Sequence, residues 1–436
     1  MELTEITGNL LDQQYQHSLF SDCAIQLHEE YYLGTCPFHQ ETGHNTLHVS
    51  KKDPQWYCTA CGAGGTWYQY LERREGLSSE EILMRLIDAA GLSGERLSLR
   101  SLRHQIQIAN LCGTAHLFYQ SALQNYGGKS SMDFLQRAGY SQAEIKQIEV
   151  GHYPDRDGII SHMLKQGFSR EMVNESGLTQ QNEERPFRLT IPARDPAGNL
   201  IGFICRRTGG EKPIYRFSHP VVRDQVFNLH NARGAERVIL VEEYLDALLG
   251  SLRGIPNLLA TGGLPLNESQ LDHLENAGMS EIVLALDSDT AGIESINNII
   301  SLTLPRENIR CRVSPMDPEY RMSNGLLSVR GYRRLGRIHQ MNYSGSEWQA
   351  EQIINSIGLE SELGVKTAKE QVLKYASTLT DPEERERILI LLHERFGSPE
   401  SRLRKKLEIL QKEERVTSYI ISELRNDLQM PHEVVS

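Results

Sequence analysis

The chain has 436 residues, enough for two to four domains with sizeable cores. Hydrophobic residues make up 39% and charged residues 24%. This is the balance of a folded soluble protein; with no apolar run of membrane-span length and no basic-then-apolar leader after Met1, it excludes a bilayer protein and gives the cytoplasm as the expected compartment. A formal net charge of −11 excludes a uniformly basic coat for nucleic acid but leaves room for local basic patches, and seven irregularly spaced cysteines exclude a disulfide framework.

Near the N-terminus, Cys36-Pro-Phe-His39 and Cys58-Thr-Ala-Cys61 form two knuckles with two residues inside each. Zn²⁺ takes four tetrahedral nitrogen or sulfur donors, and a C-x₂-H paired with a C-x₂-C delivers them from two tight turns. His44 and His48, in the same loop but outside a knuckle, are alternative nitrogen donors. Trp56 and Tyr57, close to Lys51 and Lys52, are suited to stacking on unpaired bases beside neutralised phosphates, or equally to a small-domain core. Trp67 to Leu71 and Ser79 to Leu92 predict two short helices closing the metal domain, and the polar, basic stretch from Ser93 to His104 predicts a linker.

Helical periodicity follows from Ile106 to Tyr126, with Ile108, Leu111, Ala115 and Phe118 on one face. Gly127-Gly-Lys-Ser130 fails as a phosphate loop because the first glycine of that motif would fall on Leu123, so a turn between helices is expected. Phe187 to Asp195 and Asn199 to Phe203 predict a hairpin. From Arg185 to Arg237 there are ten basic residues against four acidic ones, so this segment is net positive in a negative protein.

From Arg237 to Val313 short apolar runs alternate with helical patterns: strand Arg237 to Glu242, helix Tyr244 to Arg253, and strand Asn257 to Ala260. A helix opened by a capping box at Asn267-Glu-Ser-Gln270 follows, then strand Glu281 to Asp287, another helix, and strand Asn308 to Val313. Such alternation predicts a parallel α/β sheet, in which ligand groups gather beyond the carboxyl ends of the strands. Glu242, Asp287 and Asp289 fall at those ends. Clustered carboxylates call for a cation, and all-oxygen ligands favour Mg²⁺ or Mn²⁺. A plain loop-and-cap role is the alternative for Asp287 and Asp289.

Met316-Asp317-Pro318-Glu319 adds a second acidic pair, or a turn built on Asp-Pro. Between Met322 and Ser346 there is no acidic residue, while Arg330, Arg333, Arg334 and Arg337 are basic, a candidate phosphate-contacting stretch or a solvated face. Leu363 to Phe396 is helical in pattern, and Ser398 to Leu428 is a charged amphipathic helix with Leu403, Leu407, Leu410, Ile420, Leu424 and Leu428 at helical spacing.

Two of these regions resemble a known family. Val241-Glu-Glu-Tyr-Leu-Asp246 with Leu286-Asp-Ser-Asp-Thr-Ala-Gly292 is similar to the Toprim motif pair of bacterial DnaG-type primases, topoisomerases and related nucleases. Cys36-Pro-Phe-His-Gln-Glu41 with Trp56-Tyr-Cys-Thr-Ala-Cys-Gly-Ala-Gly-Gly65 resembles the CHC2 zinc ribbon that begins those primases. Asp133 to Tyr140, Gly151 to Pro154, Met163 to Phe168 and Phe187 to Asp195 resemble segments of the primase polymerase domain, so the resemblance spans most of residues 30 to 400. It implies Glu242, Asp287 and Asp289 as catalytic carboxylates and magnesium ligands, Asp317 and Glu319 as further ligands, and Asp246 as a supporting residue. Nucleotide or nucleic-acid contacts carry over to Arg188, Arg206, Arg207 and Lys212, beside Lys51 and Trp56 of the ribbon. The chain departs from the family at Glu243, where the motif has glycine, at Ile214, where it has lysine, at Glu319, where it has aspartate, and at Leu47, where it has phenylalanine.

The expected fold is thus multidomain α+β and α/β: a zinc ribbon over 1–95, a mixed basic subdomain over 105–235, a parallel Toprim sheet over 236–320, a helical subdomain over 345–400 and an amphipathic tail over 401–436. The resemblance implies a primase making short RNA primers on single-stranded DNA from nucleoside triphosphates, with structural Zn²⁺ and catalytic Mg²⁺ or Mn²⁺. A shortened form without the family's helicase-binding C-terminal domain is expected. This fits a phage, mobile or accessory system, with any helicase or element-encoded partner met by a non-standard contact. A Toprim nuclease, or a catalytically degenerate nucleic-acid-binding relative, are the alternatives.

Overall fold

The computed structural model describes residues 3–28, 31–39, 45–92, 99–179, 187–209, 213–322, 325–338 and 343–427. The chain divides into two compact units, Met1–Leu264 with Glu268–Met279 and Asp317–Leu335, and Pro265–Asn267 with Ser280–Met316 and Gly336–Ser436. No described helix is long and apolar enough to cross a membrane.

The first unit opens with an antiparallel five-stranded sheet of β1 (Gln26–Leu27), β2 (Tyr31–Gly34), β3 (Leu47–Ser50), β4 (Gln55–Cys58) and β5 (Gly64–Thr66), ordered as in the sequence. Alternation drives it: in β3, Leu47 and Val49 are buried while His48 and Ser50 are only half so. Helix Leu3–Asp12 lays Ile6 and Leu10 on the same core. Helices Trp67–Glu75 and Ser79–Ala89, opened by capping boxes at Thr66 and Ser78, add Tyr70, Leu71, Ile82 and Leu83. The expected linker is shorter than its composition predicts, because the long helix Leu99–Gln124 already includes residues 99–104. Leu102 and Ile106, one turn apart, are buried in the ribbon core, and that burial extends the helix into a polar, basic sequence. Residues 93–98 lie outside the described residues.

A second antiparallel sheet follows in the same unit: β6 (Gly151–His152), β7 (Leu189–Arg194), β8 (Leu200–Arg206) and β9 (Tyr215–Phe217). The predicted hairpin is its β7–β8 pair. Leu111, Ala115 and Tyr119 of the long helix pack on Leu200 and Phe203. Gly127 and Gly128 form a short turn before helix Lys129–Arg137, as expected.

Arg194 joins the two sheets. Its side chain is 4% exposed, with Nη1 3.2 Å from Asp53 and Nη2 2.8 Å from Glu149. Next to it Asp195 accepts hydrogen bonds from the Thr4 hydroxyl at 2.7 Å and from the Ala197 and Asn199 N–H groups at 2.9 Å. Gly198 sits at φ +87°, and a Cβ there would come within 2.6 Å of the Asp53 Cβ, so the turn between β7 and β8 must be glycine to let the β3–β4 turn approach.

The first unit also holds the parallel pair β10 (Arg237–Val241) and β11 (Leu258–Ala260), connected by helix Tyr244–Leu252. In the second unit, β12 (Glu281–Leu284) and β13 (Arg310–Val313) pair in parallel across helix Thr290–Thr303, and β14 (Tyr343–Ser344) adds an antiparallel edge to β13. Strand and helix thus alternate here as expected. Four helices complete this unit: Gly345–Asn355, Glu362–Thr378, Pro382–Phe396 and Glu400–Asp427. Ala350, Ile354, Val372, Ala376, Ile388 and Leu392 form their core, and Leu403 and Leu407 bring the amphipathic tail onto it.

Removing Arg194 leaves Asp53 and Glu149 uncompensated, and breaking a buried pair costs on the order of 3–5 kcal/mol. Arg194→Ala is expected to lower the unfolding free energy by about that amount in urea titrations. A loss under about 1 kcal/mol would show that the pair behaves as a surface one.

Candidate metal and catalytic sites

Cys36 follows β2 and Cys58 ends β4, so the antiparallel pairing of β2, β3 and β4 brings the two knuckles together. The Cys58 N–H donates to Ala63 O at 2.7 Å and the Gly62 N–H to Cys58 O at 3.1 Å, which fold the second knuckle tightly. Donor atoms of Cys36, His39, Cys58 and Cys61 all lie within 4.8 Å of one another, with the Cys36 and Cys61 sulfurs 3.9 Å apart and His39 Nε2 3.2 Å from the Cys58 sulfur. Three sulfurs and one nitrogen at this spacing fit one tetrahedral Zn²⁺. Burial works to raise the Cys58 thiol, but the Cys61 and Ala60 N–H groups hold it down to about 6. Burial pushes Cys36 up to about 12. A cation bound by both removes the contrast, since ligating cysteines bind as thiolates. Of the alternative donors, His48 stacks on Tyr57 at 4.6 Å outside the cluster, and His44 lies outside the described residues.

Trp56 is not a surface platform. It is 2% exposed, donates its indole N–H to Thr66 O at 3.1 Å and packs on Phe38 and Tyr70. Alternation along β4 points it inward and leaves Tyr57, 39% exposed, as the outward aromatic. Lys51 lies half-buried in the turn after β3.

Glu242 directly follows β10 and is half-buried; its carbonyl accepts from the Gly262 N–H at 2.7 Å. Glu243 has φ −85° and ψ 127°, an extended conformation open to any residue, so the glycine of the family motif is not needed by the backbone. Its carboxylate accepts the Tyr215 hydroxyl and lies 3.8 Å from Arg206 Nε. Arg206 is in turn sandwiched between the Phe134 and Tyr215 rings at 4.6 and 5.6 Å, with its side chain 4% exposed. The expected phosphate contact at Arg206 is therefore replaced by an internal one: the guanidinium matches Glu243. Arg188 also turns inward, donating to the Tyr153 and Pro154 carbonyls. Arg207 lies over the Phe187 ring at 4.4 Å, and Lys212 falls outside the described residues.

Asp246 is fully buried one turn into helix Tyr244–Leu252. Its carboxylate accepts from Leu327 N–H at 2.9 Å, Tyr332 hydroxyl at 3.0 Å and Arg321 Nη1 at 3.1 Å. It supports the motif by holding the segment after Asp317. Burial outweighs Arg321 and pushes this carboxyl up to about 7.

In the second unit, Asp287 continues the β12–β13 pairing through a parallel bridge to Met316, the residue before Asp317. Asp289 caps helix Thr290–Thr303, accepting from the Gly292 N–H at 2.9 Å. A Cβ on Gly292 would fall 2.1 Å from the Asp287 carbonyl, so that glycine seats the helix start on the strand end. Asp289 thus fills the cap role that the sequence offered as its alternative. Asp317 and Glu319 are exposed in the first unit, with Glu319 3.6 Å from Arg330.

Sequence reasoning missed the Glu243, Arg206 and Tyr215 cluster and the Asp53, Arg194 and Glu149 cluster. The one local signal was an arginine ending each of the apolar strands β7 and β8.

Two outcomes are expected. Glu243→Gly, which restores the family residue, strands buried Arg206 and lowers stability by about 3 kcal/mol in urea titrations; an unchanged midpoint would refute the pairing. Asp246 holds its proton more tightly folded than unfolded, where its pKa is about 3.9. Its contribution is therefore fully present below about pH 4 and is lost as pH rises toward about 7. Wild-type melting temperature should fall relative to Asp246→Asn across that window and level off above it; a difference that is constant with pH would refute the assignment.

Comparison with known proteins gives three family matches along the chain: the CHC2 zinc finger over residues 14–111, the N-terminal domain of the DNA primase catalytic core over 118–220 and a Toprim-like domain over 239–321. A DNA primase of Enterococcus faecalis is 27% identical over 303 residues, 62% of this chain and 48% of its own length. One of Rickettsia prowazekii is 28% identical over 301 residues, 65% of this chain and 50% of its own length. The chain thus spans about half the length of these relatives. The crystal structure of the zinc-binding and RNA polymerase domains of the Aquifex aeolicus primase aligns with TM-score 0.62 at 21% identity, covering 90% of this chain and 98% of that one. A DnaG primase catalytic domain bound to single-stranded DNA aligns with TM-score 0.55 at 20% identity, covering 69% and 99%. Zinc-finger, primase-core and Toprim-like matches thus follow one another along the chain, a domain order similar to that of the DnaG-type primases.

Proposed function

We propose that this chain is a DNA primase, a nucleotidyltransferase that makes short RNA primers on single-stranded DNA from nucleoside triphosphates. The observation that carries this reading is that Toprim-motif carboxylates follow strand ends, Glu242 after β10 and Asp287 and Asp289 after β12, in a chain that also carries a zinc ribbon. By the family resemblance Asp287 and Asp289 would be ligands to Mg²⁺ or Mn²⁺, whose chemistry is all-oxygen, and Asp317 and Glu319 are carried over from the same resemblance as further candidate ligands. A divalent ion bound there supplies the positive charge that a triphosphate and its leaving pyrophosphate require. Glu242 serves as a further ligand or takes the proton of the attacking 3′-hydroxyl. Lys51, Arg207 and Lys212 carry over from the family resemblance as nucleic-acid or nucleotide contacts, whereas Arg188, Arg206 and Trp56 have the internal partners described above. The reaction belongs in the cytoplasm, in an accessory, phage or mobile setting, with a helicase or another element-encoded protein as partner.

The degenerate alternative rested on Glu243, Ile214 and Glu319. Glu243 is unstrained and its charge is matched, which removes its weight from that side.

The test is incubation with single-stranded DNA, labelled ribonucleotides and Mg²⁺ or Mn²⁺. Extension is expected, and Asp287→Ala should reduce it by more than about a hundredfold, since several kcal/mol of charge stabilisation are lost. Degradation of the DNA instead of extension would favour the nuclease reading, and retained synthesis in Asp287→Ala would overturn the assignment of that carboxylate.

A further inference from the structure

We infer that helix Val329–Leu335 is a contact surface for the phosphate backbone of single-stranded nucleic acid, held in position by Asp246; only the choice of DNA as the strand rests on the primase reading. The sequence from Met322 to Ser346 holds four arginines from Arg330 to Arg337 and no acidic residue. The structure sorts the arginines of this segment by what they touch. Arg321 is internal, bonded to Asp246 at 3.1 Å and to Gly325 O at 2.7 Å. Arg334 is half-buried over the Tyr320 ring at 5.2 Å. Arg330 and Arg333 are left outward, three residues apart on one helix face, and Arg337, which follows the helix, is exposed. Arg333 has no ion pair among the described residues. Arg330 reaches Glu319 at 3.6 Å, but both side chains are more than half exposed, at 69% and 54%, and such pairs are weak enough to exchange for phosphate.

What makes this more than a charged surface turn is its mounting. Asp246 takes bonds from Leu327, Tyr332 and Arg321 at once, and Tyr332 also carries Arg253 over its ring at 4.8 Å. The Ser328 N–H donates to Tyr320 O at 2.8 Å, and a Cβ on Gly331 would meet the same oxygen at 2.7 Å, so the helix lies close against the chain that leads from Glu319. The result is a short rigid arm whose outward charges are guanidinium groups, which match phosphate in a bidentate fork. Asp246 is a positioning residue here: it acts through the arm.

The test is fluorescence anisotropy of a labelled oligothymidylate with the full chain across a KCl series. Each phosphate contact on a single strand contributes about 0.7 to the slope of log affinity against log salt. The double variant R330A/R333A should therefore lose about 1.4 from that slope and bind several-fold more weakly at low salt, with an unchanged melting temperature. Asp246→Asn should also lower the slope, because the arm loses its anchor. An unchanged slope in the double variant would overturn the inference and leave this face to a protein partner, and an unchanged slope in Asp246→Asn alone would overturn the anchoring role. Primer synthesis by the same wild-type preparation separates this from the primase reading: a slope difference without synthesis keeps the surface and sinks the enzyme assignment.

Discussion

Arg194 sits at the end of β7 with its side chain 4% exposed, and an ion so far from water is tolerable only when its charge is met by fixed partners. Asp53 comes from the zinc ribbon and Glu149 from the segment before β6, so meeting that charge requires the ribbon hairpin and the second sheet to lie against each other in one arrangement. Apolar contacts alone would permit sliding, because they are roughly proportional to area and carry no direction. The glycine at 198 and the Thr4–Asp195 bond reinforce the same arrangement. Zinc thus closes the ribbon, and a guanidinium orients it.

Buried pairing recurs where the Toprim motif begins. Glu243 is answered by Arg206, and Asp246 by Arg321, within one helical turn of each other along the chain. This changes the meaning of the positive segment from Arg185 to Arg237. Arg188, Arg194 and Arg206 are committed to carbonyls or carboxylates inside the unit, and net charge along a sequence does not reveal that. The arginines of helix Val329–Leu335 show the opposite: internal partners hold the segment, and two guanidinium groups stay outside.

The zinc ligands were legible because two-residue knuckles are local geometry; the choice of His39 over other nearby histidines came from the structure, which groups it with the three cysteines. The strands and helices from 237 to 313 were legible because their apolar runs change period at each boundary. Burial of Trp56 was not, since a tryptophan beside a metal knuckle suits a base-stacking face and a core equally well; the strand's phase decides, and here it points Trp56 inward. The helix through residues 99–104 was hidden by its polar surface, with only Leu102 and Ile106 to give it away. Arg194 and Asp53 are far apart in sequence, and no local pattern links them.

Departures from a family motif are best weighed against the charges around them. At Glu243 the backbone is extended, so the glycine common in the motif is one solution among several, and a carboxylate is admissible wherever its charge is answered. Tyr215 and Arg206 answer it from β9 and the end of β8, in the same unit, and the ring of Tyr244 packs edge-on against Tyr215 at 4.9 Å to close the cluster. An added negative charge next to Glu242 would otherwise compete for the cation that Glu242 is proposed to help bind. With Arg206 beside it, Glu243 adds no net charge to that strand end, and the motif keeps the electrostatic character that its neighbouring carboxylates require.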